Sequence, residues 1–184
     1  QSDDKTDVRM SQLNATDARN RVEIFEFDPE KAGVAFGAGL ASITNVSILN
    51  DDGETCQLLL GGEIVKLVVE AKVSKPFRGP IFGFYVKDKL GQRLFGDNTY
   101  VTYFEQPIDA IAGMRLRATF KFRMPVLPSG DYSVDVALAS GSQDDHTHQH
   151  WIHDALTFKA SESTMRHGLV GIPMHSIDIE QSRS

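Results

Sequence analysis

From Gly113 to Met124 the chain alternates without a break: Met114, Leu116, Ala118, Phe120, Phe122 and Met124 are apolar, while Arg115, Arg117, Thr119, Lys121 and Arg123 are polar. A two-residue period places the two sets on opposite faces of a strand, so this segment predicts one apolar face and one basic face. Pro125 and Pro128 end the run, Ser129-Gly130 supplies a turn, and Tyr132, Val134, Val136 and Leu138 then alternate with Ser133, Asp135, Ala137 and Ala139. The second strand is either a hairpin partner of the first or the far side of a crossing between sheets. Glu63–Val73 predicts a long strand, and the more continuous apolar run Pro80–Lys87 predicts one buried on both faces. Ala41–Leu49, Arg93–Phe95 and Ile152–Phe158 add further strands, with turns at Asp51-Asp52-Gly53 and Asp88–Gly91. Sustained helical periodicity is missing, and Met165–Gly168 suggests at most one helical turn. Short strands separated by turns every ~8–12 residues predict an all-β fold, an immunoglobulin-like β-sandwich, with a closed barrel as the alternative.

Gln1–Asn20 is polar with only Val8, Met10 and Leu13 scattered through it, which predicts a linker or tail ahead of a domain at 21–184. The whole chain has 184 residues, the size of one ordinary domain. Cys56 is its only cysteine, so no internal disulfide forms, which fits a reducing, cytoplasmic setting. Nineteen basic residues against 25 acidic ones give a net charge of −6, and no basic block offers a footprint for nucleic acid. No apolar run approaches the ~18–20 residues of a membrane span.

Little in the sequence points to catalysis. Gly37-Ala38-Gly39 precedes a strand, whereas a dinucleotide loop needs a helix N-terminus to receive the phosphates. No G-x-x-x-x-G-K-[ST] loop occurs, so the chain by itself is no P-loop nucleotide hydrolase. Cys56 lacks an activating motif, and the acidic residues fall mostly in turns, so neither a nucleophile nor a paired-carboxylate site is expected. His146, His148, His150 and His153 cluster within DDHTHQHWIH, and alternate positions of a strand would let His148 and His150 share one metal ion. A third ligand at a defined offset is not evident, so the expectation is no metal and no cofactor.

The stretch Phe95–Phe104 combines Asp97, Asn98, Thr99, Tyr100 and Tyr103, which offer flat apolar surface together with fixed donors and acceptors, the materials that hold sugars. The alternative is a Gly-Asp-Asn turn with its tyrosines in the core. Trp151 falls on the face opposite Ile152, where it would stack on a pyranose ring. Sandwiches often carry a core tryptophan, however, and a single bulge would turn it inward, so a core position is expected. Arg115, Arg117, Lys121 and Arg123 form a basic stripe, either a solvated face or a match for a negatively charged partner. The expected carbohydrate-binding set is Asn98, Thr99, Tyr100, Arg115 and Arg117, with Tyr132 or Trp151 as stacking surfaces, on the assumption that the strand order brings them together.

Several segments taken in order resemble a known family. They are Ala41–Leu49 with its Asp-Gly turn, Gly62-Glu63, PIFGFYVKDKLGQRLFGDNT (Pro80–Thr99), LPSGDY (Leu127–Tyr132), HDALTF (His153–Phe158) and GLVGIP (Gly168–Pro173). The order resembles the C-terminal domain of Wzt-type proteins, the nucleotide-binding subunits of bacterial ABC exporters of O-antigen polysaccharide, across about Ala32–Ile177. The resemblance implies a non-catalytic, immunoglobulin-like domain behind an ATPase domain. It also implies recognition of the exported O-polysaccharide, in some members by its modified non-reducing end. A location at the cytoplasmic face of the inner membrane, contact with the transporter's membrane subunit through the full-length protein, and a homodimer follow from the same context. The apolar segment Gly168–Ile179 is the expected interface or exchanged strand. A purely structural immunoglobulin-like domain for dimerisation or docking is the alternative function.

Overall fold

A computed structural model of the chain describes residues 21–25, 35–36, 39–55, 57–103, 105–140, 150–161, 168–172 and 179. The predicted tail Gln1–Asn20, Cys56, His146 and His148 lie outside them, as does most of the predicted helical turn Met165–Gly168.

Twelve strands run along the described chain: β1 (Arg21–Phe25), β2 (Ala35–Phe36), β3 (Ala41–Asn50), β4 (Leu58–Leu60), β5 (Ile64–Val73), β6 (Phe77–Arg78), β7 (Pro80–Asp88), β8 (Arg93–Asn98), β9 (Asp109–Ala110), β10 (Arg115–Arg123), β11 (Gly130–Ser140) and β12 (His150–Ser161). One helical turn, α1 (Tyr100–Tyr103), follows β8. A six-stranded sheet in the order β4-β1-β12-β11-β7-β8 packs on a four-stranded sheet in the order β10-β5-β3-β2, with β6 and β9 as a separate ribbon. All pairings are antiparallel. The fold is therefore the expected all-β sandwich.

The alternation read in the sequence explains the core. In β10, Arg115, Arg117, Lys121 and Arg123 are exposed while Ala118 is buried and Leu116, Phe120 and Phe122 are half-buried. In β11, Tyr132, Val134, Val136 and Leu138 join Val65, Leu67 and Val69 of β5 in one apolar cluster. Each such side chain removed from water stabilises the fold by ~1.5–3 kcal/mol. The β10-to-β11 connection crosses between sheets and is not a hairpin, since β10 pairs with β5 and β11 with β7 and β12. At the β8 and β10 edges the sheets meet through phenylalanines: Phe84 and Phe120 lie 4.9 Å apart, and Phe84 and Phe122 stack at 5.8 Å.

Tyr132 closes this architecture from within. It is buried, stacks on Phe158 at 5.3 Å and 15°, and donates its hydroxyl to the Pro128 carbonyl at 2.6 Å. The hydroxyl thus ties the start of β11 to the connection that precedes it, while the ring fills the core.

Candidate functional site

Register places a row of side chains across the outer face of the six-stranded sheet. Asn98 pairs with Gly83, Gly83 with Ala137, and Ala137 with Trp151, so the row runs over β8, β7, β11 and β12. A Cβ built on Gly83 would sit 3.4 Å from the Asn98 Cβ, which confirms that both positions share this face. One step along, Gly96 pairs with Tyr85 and Tyr85 with Asp135.

Small residues let large rings lie on this surface. A Cβ at Gly96 would fall 2.2 Å from the Phe84 carbonyl oxygen and 2.6 Å from Tyr85 Cδ1, so only glycine leaves space there for the tyrosine. Gly83 and Ala137 keep the centre low. Tyr85 and Trp151 reach over it from strands that are not neighbours and stack at 5.4 Å and 17°. The Arg93 guanidinium lies 4.4 Å from the Tyr85 centroid and 5.8 Å from that of Trp151, within range of a cation–π attraction to both. Both rings are half-buried, so part of each stays in contact with water.

Asp135 stands beside Tyr85 across the β7–β11 pairing. It is 2% exposed and is the one buried polar or charged residue among the described residues. Its carboxylate accepts the Asp154 N–H at 2.9 Å, pairs with Lys87 Nζ at 2.9 Å and contacts His153 Nδ1 at 3.1 Å. Burial pushes its pKa up, but the Asp154 N–H, the Lys87 ammonium and His153 outweigh that and hold it below the usual carboxylate value. Burial likewise opposes the charge on Lys87, yet Asp135 and Asp154 together raise its pKa. Lys87 also reaches Asp154 Oδ1 at 3.3 Å.

The geometry of Asp154 comes from an irregularity in β12. Val134 pairs with Leu156 and Val136 with Ile152, so β12 carries two more residues than β11 over this stretch. Asp154 takes up the excess with φ 53°, a left-handed conformation that aspartate tolerates better than most residues. An even excess preserves the two-residue phase. Ile152 therefore stays in the core and Trp151 stays on the outer face, contrary to the expected core position.

The other residues expected at the site are not gathered with Trp151. Arg115 and Arg117 lie on the outer face of the four-stranded sheet, where Arg117 approaches Glu70 at 3.8 Å. The assumed adjacency fails because β10 and β12 belong to different sheets. Tyr132 faces the core and presents no stacking surface. Thr99 accepts the Phe82 N–H at 3.0 Å through its hydroxyl, and Asn98 accepts the Tyr100 N–H at 2.9 Å through its side-chain oxygen. Tyr100 and Tyr103 are exposed on α1 and are not packed in the core, while Gly96, Asp97 and Asn98 belong to β8 and form no turn.

A groove of about 880 Å³ opens where the β8 and β10 edges part, lined by Phe84, Phe95, Asn98, Thr99, Phe120 and Lys121 among others. Its phenylalanines are engaged with one another, and Asn98 and Thr99 each have an acceptor committed to the backbone, so it offers a sugar less than the sheet face does. The side chain of His150 lies outside the described residues, and His153 is engaged with Asp135. Among the described residues no group of three His, Cys, Asp or Glu side chains is placed to hold a metal ion.

The sequence matches the model of one family, the Wzt C-terminal domain, over residues 34–172. The chain belongs to the Wzt C-terminal domain family. The crystal structure of the C-terminal domain of wzt superposes with a TM-score of 0.63 at 16% identity, covering 97% of this chain and 99% of that one. Similarity at that level shows a shared fold. No curated protein matches the chain. Membership makes this a Wzt-type transporter domain, related to ABC export of O-antigen.

Proposed function

We propose that this Wzt-type domain is a non-catalytic carbohydrate-binding module of an ABC exporter ATPase subunit, and that it holds the O-polysaccharide on the outer face of its six-stranded sheet. The observation that carries this reading is the half-exposed Tyr85–Trp151 stack with Arg93 beside it and the buried Asp135 next to Tyr85 in the neighbouring strand. Sugars bind through flat apolar ring faces combined with rigid polar groups, and this surface supplies both. Asp135 fixes Lys87 and His153, so donors beside the rings are held in place before any ligand arrives. Asn98, at the end of the row, adds the N–H donors of its side-chain amide, its oxygen being committed to the Tyr100 N–H.

Titration of the isolated domain with the O-polysaccharide of its own strain, with and without the non-reducing terminal group, tests the proposal. Trp151→Ala should weaken binding about tenfold or more, the loss of ~1.4 kcal/mol of stacking and cation–π contact, at an unchanged melting temperature. Equal affinity of parent and variant would remove the platform from the site.

The same context supports a homodimer that works at the cytoplasmic face of the inner membrane and meets the transporter's membrane subunit through the full-length protein. Among the described residues of the C-terminal segment, Leu169, Ile172 and Ile179 are exposed, at 52%, 66% and 87%. These apolar side chains favour Gly168–Ile179 as the contact between copies, and they are also what a purely structural dimerisation domain would display.

A further inference from the structure

A second depression, of about 390 Å³, lies on the same outer face beyond the buried Asp135. Register builds its floor: Lys87 pairs with Ser133, Ser133 with Thr157, and Thr157 with Phe25, a row across the adjacent strands β7, β11, β12 and β1. Asp131 and Asp154 also line it. The row is two residues along β11 from Asp135 and four from Ala137, roughly 7 and 14 Å. Lys87 and Asp154 belong both to this depression and to the charged network around Asp135, the cross-strand neighbour of Tyr85, so the two places adjoin.

We propose that this depression is a second sugar subsite, which takes a neutral, hydroxyl-rich unit next to the one on the Tyr85–Trp151 platform. The domain then reads at least two consecutive units of a polysaccharide and not one terminal ring alone. This inference rests on the platform being a glycan site. Phe25 supplies the flat apolar surface, since it is 52% exposed on the strand beside Thr157. The hydroxyls of Ser133 and Thr157 and the carboxylates of Asp131 and Asp154 supply acceptors that suit sugar hydroxyls, with charge-assisted hydrogen bonds from the carboxylates. Local charge selects against an acidic sugar. Asp88, Asp131 and Asp154 line the depression against Lys87 and Lys89, and Lys87 is already paired with Asp135 and Asp154.

The test uses the O-polysaccharide of the strain that encodes the chain, cleaved by mild acid and sized into fragments of one, two, three and more units. Each fraction is titrated by NMR, which reads millimolar binding. Fragments of two or more units should bind about tenfold tighter than single units. They should also shift the Ser133 and Thr157 amides, which single units leave in place, and the gain should persist at high salt because the ligand is neutral. Phe25→Ala should remove most of the gain and leave single-unit affinity at the parent's value, with Thr157→Ala as a second variant in the same direction. Binding that Trp151→Ala abolishes but that neither grows with length nor responds to Phe25→Ala would overturn the second subsite and leave the platform standing. A length gain lost in high salt would overturn the neutral assignment. No binding by any fragment would overturn the platform reading, and the subsite with it.

Discussion

Tyr132 and Asp135 stand three positions apart in one strand, so the two-residue period points them to opposite faces, but what each does there is decided by neighbours from other strands. Tyr132 points inward, and its one polar atom is satisfied by the Pro128 carbonyl. Tyr132→Phe should therefore cost ~0.5–1.5 kcal/mol of stability, the net value of one neutral hydrogen bond, and leave glycan affinity unchanged. Chemical denaturation alongside the titration checks both; a loss of affinity without a loss of stability would return Tyr132 to the site. Asp135 reads in the sequence as one more polar position on an outward face. Its role appears only when β7 brings Lys87 beside it and β12 brings His153 and the Asp154 N–H. Because its carboxyl is held below the ordinary value of ~3.9, its contribution to stability is fully present above that value and is lost as pH falls through the folded pKa. Lys87, raised above its ordinary value, contributes below that value and loses its contribution only as pH rises through its own folded pKa. As pH falls below about 4, the parent's melting temperature should fall more steeply than that of Asp135→Asn, which carries no titrating group at that position. Parallel curves would show that the pair adds nothing to stability.

At the scale of strands, most of what the alternation promised is present. β3, β5, β10, β11 and β12 lie where the sequence reading placed them, because a sandwich with one buried and one wet face per sheet writes a two-residue period into the sequence. β7 lies where its apolar run placed it but is not buried on both faces: Phe82, Phe84 and Val86 fill the core, whereas Ile81, Tyr85 and Lys87 are half-buried on the outer face, where Tyr85 stacks on Trp151. The short strands β2, β4, β6 and β9, of two or three residues, leave no such trace. Strand order was not legible either, and with it went the expected site: Arg115 and Arg117 share an alternating pattern with β11 and β12 but lie on the other sheet. Tyr85 and Arg93 were passed over because nothing in PIFGFYVK or GQRLF distinguishes a ring that meets Trp151 across a strand from one that packs inward. Gly96 falls beyond the predicted strand, which stops at Phe95; inside β8 it is a glycine within a strand, which marks a bulge or a close approach. Here it is a close approach. Gly96→Ala places a Cβ 2.2 Å from the Phe84 carbonyl, so the β7–β8 pairing must shift, at a cost of ~1–3 kcal/mol. Since Tyr85 rests on the same spot, the variant should also weaken glycan binding, measured by titration at a temperature where it stays folded. Full stability in Gly96→Ala would mean that the strands separate at little cost.

For the molecule as a whole, the sandwich presents three chemically distinct surfaces. One outer face carries the ring platform, the opposite outer face carries a basic stripe that is partly neutralised, with Arg117 near Glu70 and Lys121 on Asp51 at 2.6 Å, and the C-terminal segment carries exposed aliphatic residues. Gly171 tethers that last segment to the body through two backbone hydrogen bonds with Val126, of 3.0 and 2.7 Å, so Leu169 and Ile172 project from a fixed point. Isolated exposed aliphatics are ordinary, but several within one short tethered stretch form the kind of patch that a second copy covers, and a two-fold contact is the commonest solution. The two faces predict separable behaviour. Light scattering at micromolar concentration should give the mass of a dimer for the parent, and a monomer for the double variant Leu169→Asp, Ile172→Asp. Single-unit glycan affinity should survive in that monomer, because the platform is built from β7, β8, β11 and β12 alone. A parent that scatters as a monomer sinks the dimer. A monomeric variant that loses glycan affinity while it remains folded would place part of the sugar site at the contact between copies, and the platform would then be incomplete in a single chain.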